Sequence, residues 1–175
     1  MSSLPPLPPS DVLVLAIVAT GTGAAALIDI RTRRVPNVLT VTLAAVGFGI
    51  AAAGLGRVGL GASLLGCALG LACMLPGHIF GATGAGDVKL LAAAGALLGP
   101  EDTLYAFLNT AIAGGVLALA VAFYRRRLTR TLGLTARLVS GGEAAAADIE
   151  SPSADNRFAY APAIALGVML VALGW

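Results

Sequence analysis

The stretch from Asp11 to Arg34, DVLVLAIVATGTGAAALIDIRTRR, decides the class of fold. Between Val12 and Ile28 it carries no charge. Asp11 closes it at one end, and Asp29 closes it at the other, followed by Arg31, Arg33 and Arg34. A helix that crosses a bilayer needs about 20 apolar residues, with a range of about 17–25. A secretory signal peptide carries its basic residues ahead of the apolar run. Here they follow it, which predicts a retained first helix with its N-terminus outside. The Pro-rich lead-in over residues 1–11 reads as a short extended extracytoplasmic segment with no function of its own.

The composition points the same way. Hydrophobic residues make up 58% of the 175-residue chain and charged residues 11%, against about 45–50% and about 25% in soluble domains. A soluble fold of this size lacks the interior volume to hide so much apolar surface. The apolar residues are mostly Ala, Leu, Val and Gly, small enough to let helices approach closely in lipid. No basic stripe is interleaved with aromatics, so no nucleic-acid partner is expected. Cys67 and Cys73 share one apolar run at a spacing that fits neither a metal-ligand pair nor a disulfide framework. They read as small core or lipid-facing residues.

Further apolar stretches run from Val38 to about Leu55, from about Val58 to Met74 or Leu75, from Thr103 to Tyr124, and from Phe158 to Trp175. Between the third and the fifth spans, Asp87 to Gly99 forms a shorter one, closed by Pro100. Its 13 residues at about 1.5 Å each reach roughly 20 Å, short of a hydrocarbon core about 30 Å thick. Asp87 is therefore expected somewhat inside the membrane, where a carboxylate is costly and needs a reason. The fold class expected is all-α, a polytopic membrane protein of about six transmembrane helices. Pairs of small residues four apart, Gly66/Gly70, Gly77/Gly81 and Gly95/Gly99, are candidate close-packing faces.

Threading these spans with the N-terminus outside places 10 of the 11 Lys and Arg residues on one side, with Arg57 alone opposite. By the positive-inside rule that side is cytoplasmic. Residues 12–124 then form a five-helix membrane region. Residues 125–157 form a cytoplasmic connection, and residues 158–175 the final helix. Within the connection, Arg125 to Val139 has the pattern of a basic amphipathic helix on the anionic inner leaflet. Ser140 to Asn156 has that of a flexible linker. The connection is a tether with a surface anchor or, alternatively, a docking site for substrate.

Of the nine acidic residues, only Asp29 and Asp87 abut apolar spans at the cytoplasmic ends. The topology puts them on one side at similar depth, and packing of the first and fourth helices would bring them together. Two carboxylates in a poorly solvated site do not both ionise easily, so they share a proton. The ionised one takes a proton from water, and the protonated one polarises a peptide carbonyl and then serves the leaving amine. This chemistry needs no cofactor and no metal. The bland reading is that Asp29 pairs with a neighbouring Arg and that Asp87 caps the N-terminus of its own helix. The sequence does not assign acid and base within the pair.

The residues around each Asp add a resemblance. Gly84-Ala85-Gly86-Asp87, followed by Val88-Lys89, resembles the GxGDxK motif of the type IV prepilin leader peptidase family, a group of GxGD aspartic peptidases. Asp29 to Asn37, DIRTRRVPN, resembles that family's first motif, an Asp ahead of a basic stretch that ends in a hydrophobic residue, Pro36 and Asn37. Tyr160-Ala161-Pro162 resembles its C-terminal Tyr-Gly-Pro-like element, with Ala in place of the usual Gly. The resemblance implies a membrane aspartic endopeptidase of the bacterial inner membrane. It would remove the short basic leader from prepilin or pseudopilin substrates at the cytoplasmic face, typically after a Gly. Asp29 and Asp87 would be catalytic, with Gly84, Gly86, Lys89, Pro36 and Asn37 as motif and support residues. The chain carries no paired-cysteine domain of the larger members, which implies the short, peptidase-only form associated with Flp/Tad-type pili. It says nothing of oligomeric state.

Two rivals stand beside it: a non-enzymatic pilus-assembly or transport subunit, and a GxGD peptidase for preflagellins or signal peptides. Lys89, two positions after Asp87 and so on another helix face, is open to binding lipid headgroups or an acidic group of the substrate. His78 reads as an interfacial or loop residue. The glycines from Gly77 to Gly86 suit a mobile gate over the site or a simple flexible turn.

Overall fold

A computed structural model of the chain describes residues 8–81, 83–124 and 160–174. The amphipathic segment and linker expected over 125–157 lie outside the described residues, as does most of the lead-in. Among the described residues the protein is all-helical: α1 (Pro9–Thr32), α2 (Asn37–Ala52), α3 (Leu60–Ile79), α4 (Ala85–Leu98), α5 (Pro100–Tyr124) and α6 (Ala161–Ala172). Three are long and apolar enough to cross a membrane, namely α1, α3 and α5 as far as Ala120, while α2 and α6 are shorter apolar helices. This is the architecture of a helical membrane protein, consistent with the polytopic class read from the sequence. One compact unit comprises Met1–Gly114 and Ala159–Trp175. The second, Gly115–Phe158, is described only over 115–124, which are helical.

In the first unit α4 is sheathed by its neighbours. Val88 and every residue from Leu90 to Leu98 are buried, with α2 and α3 packed along α4 and α1 paired with α6. The outward faces of α1 and α3 are apolar instead, through residues such as Leu27, Leu64 and Leu65. Lipid gives helices no water-exclusion drive to associate, so close backbone contact between small residues takes its place. A β-carbon on Gly66 would collide with the carbonyl oxygen of Gly95, and one on Gly70 would come within 2.8 Å of the Ala92 Cα. At the same seam Ser63 Oγ donates to the Ala96 carbonyl at 2.5 Å.

Several helix ends differ from the sequence reading. α1 runs past Ile28 to Thr32, which places Asp29 inside its last turn. α3 continues through Pro76 to Ile79. Proline withholds one N–H from the helix, a loss that membrane helices tolerate, and Phe80 N–H still closes onto the Pro76 carbonyl at 3.0 Å. Gly81 lies beyond the helix at φ +74°, so Gly77/Gly81 is not a helix face; Gly77 faces Thr83. α4 starts at Ala85 rather than Asp87. Gly99, at φ +86°, turns the chain directly into α5, where Pro100 takes the first helical position and its missing N–H costs nothing.

At the end of α6 away from Ala161, Arg57 joins three helices. Its Nε stands 3.0 Å from Asp11 Oδ1 of α1 and its Nη1 4.0 Å from Asp102 Oδ2 of α5. Its Nη2 donates to the Ala172 carbonyl of α6 at 3.0 Å. A cation at a helix C-terminus also complements the helix dipole.

Candidate active site

Asp29 owes its position to the way α1 ends. Arg33 takes the left-handed conformation at φ 52° and its N–H donates to the Asp29 carbonyl at 2.7 Å. That region is uncommon for a residue with a β-carbon, and it turns the chain sharply towards Val35 and α2. The Asp29 side chain points inward and is 5% exposed. Its Oδ2 accepts the Ala161 N–H at 3.2 Å. Ala161 is the first residue of α6, so its N–H has no partner within its own helix; the carboxylate satisfies it.

Asp87 is the third residue of α4, 7% exposed, and its Oδ2 accepts the N–H of Gly84 at 3.1 Å. This is the reach-back half of a capping box, so Asp87 does cap its own helix. Among the described residues each carboxyl group thus accepts one hydrogen bond, from a backbone donor and on one oxygen. α1 touches α4, so the helices that carry the two carboxyl groups pack together.

The glycines of the second motif serve contacts. A β-carbon on Gly84 would lie 3.1 Å from Asp87 Oδ2, and one on Gly86 would lie 3.0 Å from Val35 Cβ. Gly86 therefore brings the start of α4 against the segment that follows Asp29. Pro36 caps α2, and Asn37 is its first residue. Across this junction Lys89 Nζ donates to Asn37 Oδ1 at 2.9 Å. Lys89 is thereby tied to the first residue of α2.

His78 is exposed in the last turn of α3, its Nδ1 3.0 Å from the Thr83 carbonyl oxygen. The connection between α3 and α4 is shorter than the Gly77–Gly86 loop expected, because Gly77 and His78 belong to α3 and Ala85 and Gly86 to α4.

Two features escaped the sequence reading. The Ala161 donor is a backbone group, and no residue type announces it; only Pro162, close behind, hints at a helix start. The second is Tyr160, which caps α6 with its ring against Gly114 of α5.

A sequence model of the type IV leader peptidase family matches residues 13–119. That stretch is more than half of the chain and holds Asp29, Asp87 and the residues around both. No curated protein and no solved structure matches the chain with significance.

Proposed function

The chain belongs to the type IV leader peptidase family, a family of peptidases, and from that premise we propose that Asp29 and Asp87 are the catalytic pair of an aspartic endopeptidase that removes the leader from prepilin-like substrates. The observation that supports this reading is the placement of the two carboxyl groups. Two buried carboxyl groups, each oriented by a backbone N–H, stand on helices α1 and α4, which pack against each other.

Such a pair works with one shared proton. The ionised carboxylate takes a proton from water as the water oxygen attacks the scissile carbonyl carbon. The protonated partner holds the carbonyl oxygen by a hydrogen bond without giving up its proton, and the proton taken from water then passes to the leaving amine as the C–N bond breaks. One proton remains on the pair at the end, as at the start. With α1 entering from outside, the excess of Arg and Lys at the Asp29 end supports a cytoplasmic-facing site in a bacterial inner membrane. A short basic leader emerging on that side would meet it directly.

Single replacements, Asp29→Asn and Asp87→Asn, keep size and remove ionisation. Each is expected to lower cleavage of a prepilin in membranes by at least about 10³-fold, the scale seen when a member of a catalytic constellation is lost, with expression unchanged. Wild-type cleavage by either variant would sink the reading.

A further inference from the structure

α6 brings more to the carboxyl pair than the Ala161 N–H. Tyr160 immediately precedes that donor, so its side chain leaves the backbone one residue from the atom bonded to Asp29. The ring lies against α5 at Gly114, where a β-carbon would come to 2.5 Å from ring Cε2 and 2.6 Å from the hydroxyl. The glycine thus makes a slot for the phenol. The hydroxyl stands 3.5 Å from the Thr110 carbonyl oxygen, the outer limit of a hydrogen bond, so its proton is weakly engaged. Tyr160 thus adjoins the Asp29 contact through its backbone, while its single hydroxyl proton is held only by a bond at the outer limit of length and is free to turn to a better acceptor.

We propose that Tyr160 is a third catalytic residue, whose hydroxyl donates a hydrogen bond to the carbonyl oxygen of the scissile peptide as that oxygen gains negative charge. The inference rests on Asp29 and Asp87 being the catalytic pair. When water adds to the carbonyl carbon, the π electrons move onto oxygen. A fixed donor in a water-poor site stabilises that charge without reorganising. Tyr160 keeps its proton throughout, so the proton balance of the pair is unchanged. The competing role is packing, in which the ring merely fills the slot between α5 and α6.

Tyr160→Phe separates the two, because it keeps the ring on Gly114 and removes only the donor. The expected result is a fall in kcat of about 10²-fold, the usual cost of one such donor, with KM and the melting temperature in detergent close to wild type. Affinity for a peptide isostere with a tetrahedral hydroxyl at the cleavage position should fall in step with kcat. If the variant does not accumulate, difluorotyrosine at position 160 keeps the shape and changes only donor strength, and kcat should move while the melting temperature does not. Unchanged kcat, or a kcat loss without loss of isostere affinity, overturns the inference. If Asp29→Asn and Asp87→Asn are inactive while Tyr160→Phe cleaves normally, the pair stands and only the role of Tyr160 falls. If the Asp variants cleave, the underlying reading falls first.

Discussion

Gly86 and Val35 are in direct contact, with room for no more than a hydrogen between them: a β-carbon on Gly86 would lie 3.0 Å from Val35 Cβ and 3.4 Å from the Val35 carbonyl oxygen. Val35 follows the turn that ends the helix of Asp29, and Gly86 precedes Asp87. The contact therefore couples the backbones that carry the two carboxyl groups.

Gly86→Ala should push these backbones apart by a few tenths of an ångström while favouring the helix itself. Misplacement approaching 1 Å costs a reaction up to about 10²-fold. Cleavage is expected to fall between about 10- and 100-fold, with little loss of folded protein. Initial rates on a prepilin, normalised to protein that survives gel filtration, measure it; a rate within twofold of wild type would show that the contact does not set the geometry.

Lys89 and Asn37 form the second link across the same junction. The bond is exposed, so its contribution to stability should stay below about 1 kcal/mol. Lys89→Met and Asn37→Ala should each lower activity modestly, and the double variant should be no worse than the more severe single one, because both remove one interaction. Additive losses in that cycle would mean that Lys89 acts elsewhere.

Gly66 and Gly61 make a matched pair within α3. A methyl at Gly66 meets the Gly95 carbonyl and Gly99, while one at Gly61 meets nothing within 4 Å. Gly66→Ala is expected to destabilise by about 2–3 kcal/mol through overpacking. Gly61→Ala should be neutral or stabilise by up to about 1 kcal/mol through helix propensity. Thermal denaturation in one detergent compares them.

Arg57 should matter for endurance rather than chemistry. Arg57→Met removes the contacts to Asp11, Asp102 and the Ala172 carbonyl together. A loss of about 1–2 kcal/mol follows from a partly buried charged hydrogen bond plus weaker ion pairs. Arg57→Lys should recover only part of it, since an ammonium lacks the planar fork that reaches three ways. Melting curves of the three proteins test the ordering, and equal stability of Arg57→Met and wild type would contradict it.

The sequence disclosed the membrane class because apolar length and the placement of Arg and Lys report directly on a bilayer. It misplaced helix ends for a related reason. At Asp29 a charge marks where apolar character stops, whereas the helix continues until Arg33 turns it. At Pro76 a residue that usually ends helices sits inside one, since a single lost hydrogen bond did not outweigh continued packing. Within the candidate site, Asp29 and Asp87 were legible as acidic residues at the ends of two apolar spans. Their donors were not. The N–H groups of Ala161 and Gly84 are common to nearly all residues, and the first is brought to Asp29 only by the packing of α1 on α6. Only its shortness set α4 apart from its neighbours; its burial did not show, because in a chain this apolar a helix facing protein and one facing lipid are spelled alike.

That α4 is buried at every residue from Leu90 to Leu98 also changes what sets the depth of Asp87. Lipid-facing helices tilt or shift when bilayer thickness changes, at fractions of a kcal/mol per ångström of mismatch. A helix wrapped by α2 and α3 has no such tether to the acyl chains; it takes its elevation from its neighbours. The depth of Asp87 should thereby be insulated from membrane composition, and the Ala161 N–H and the Gly86–Val35 contact hold Asp29 to the same core. Reconstitution in short-chain and long-chain phospholipids should leave the rate on a given substrate nearly constant, even as the outer helices adjust their tilt.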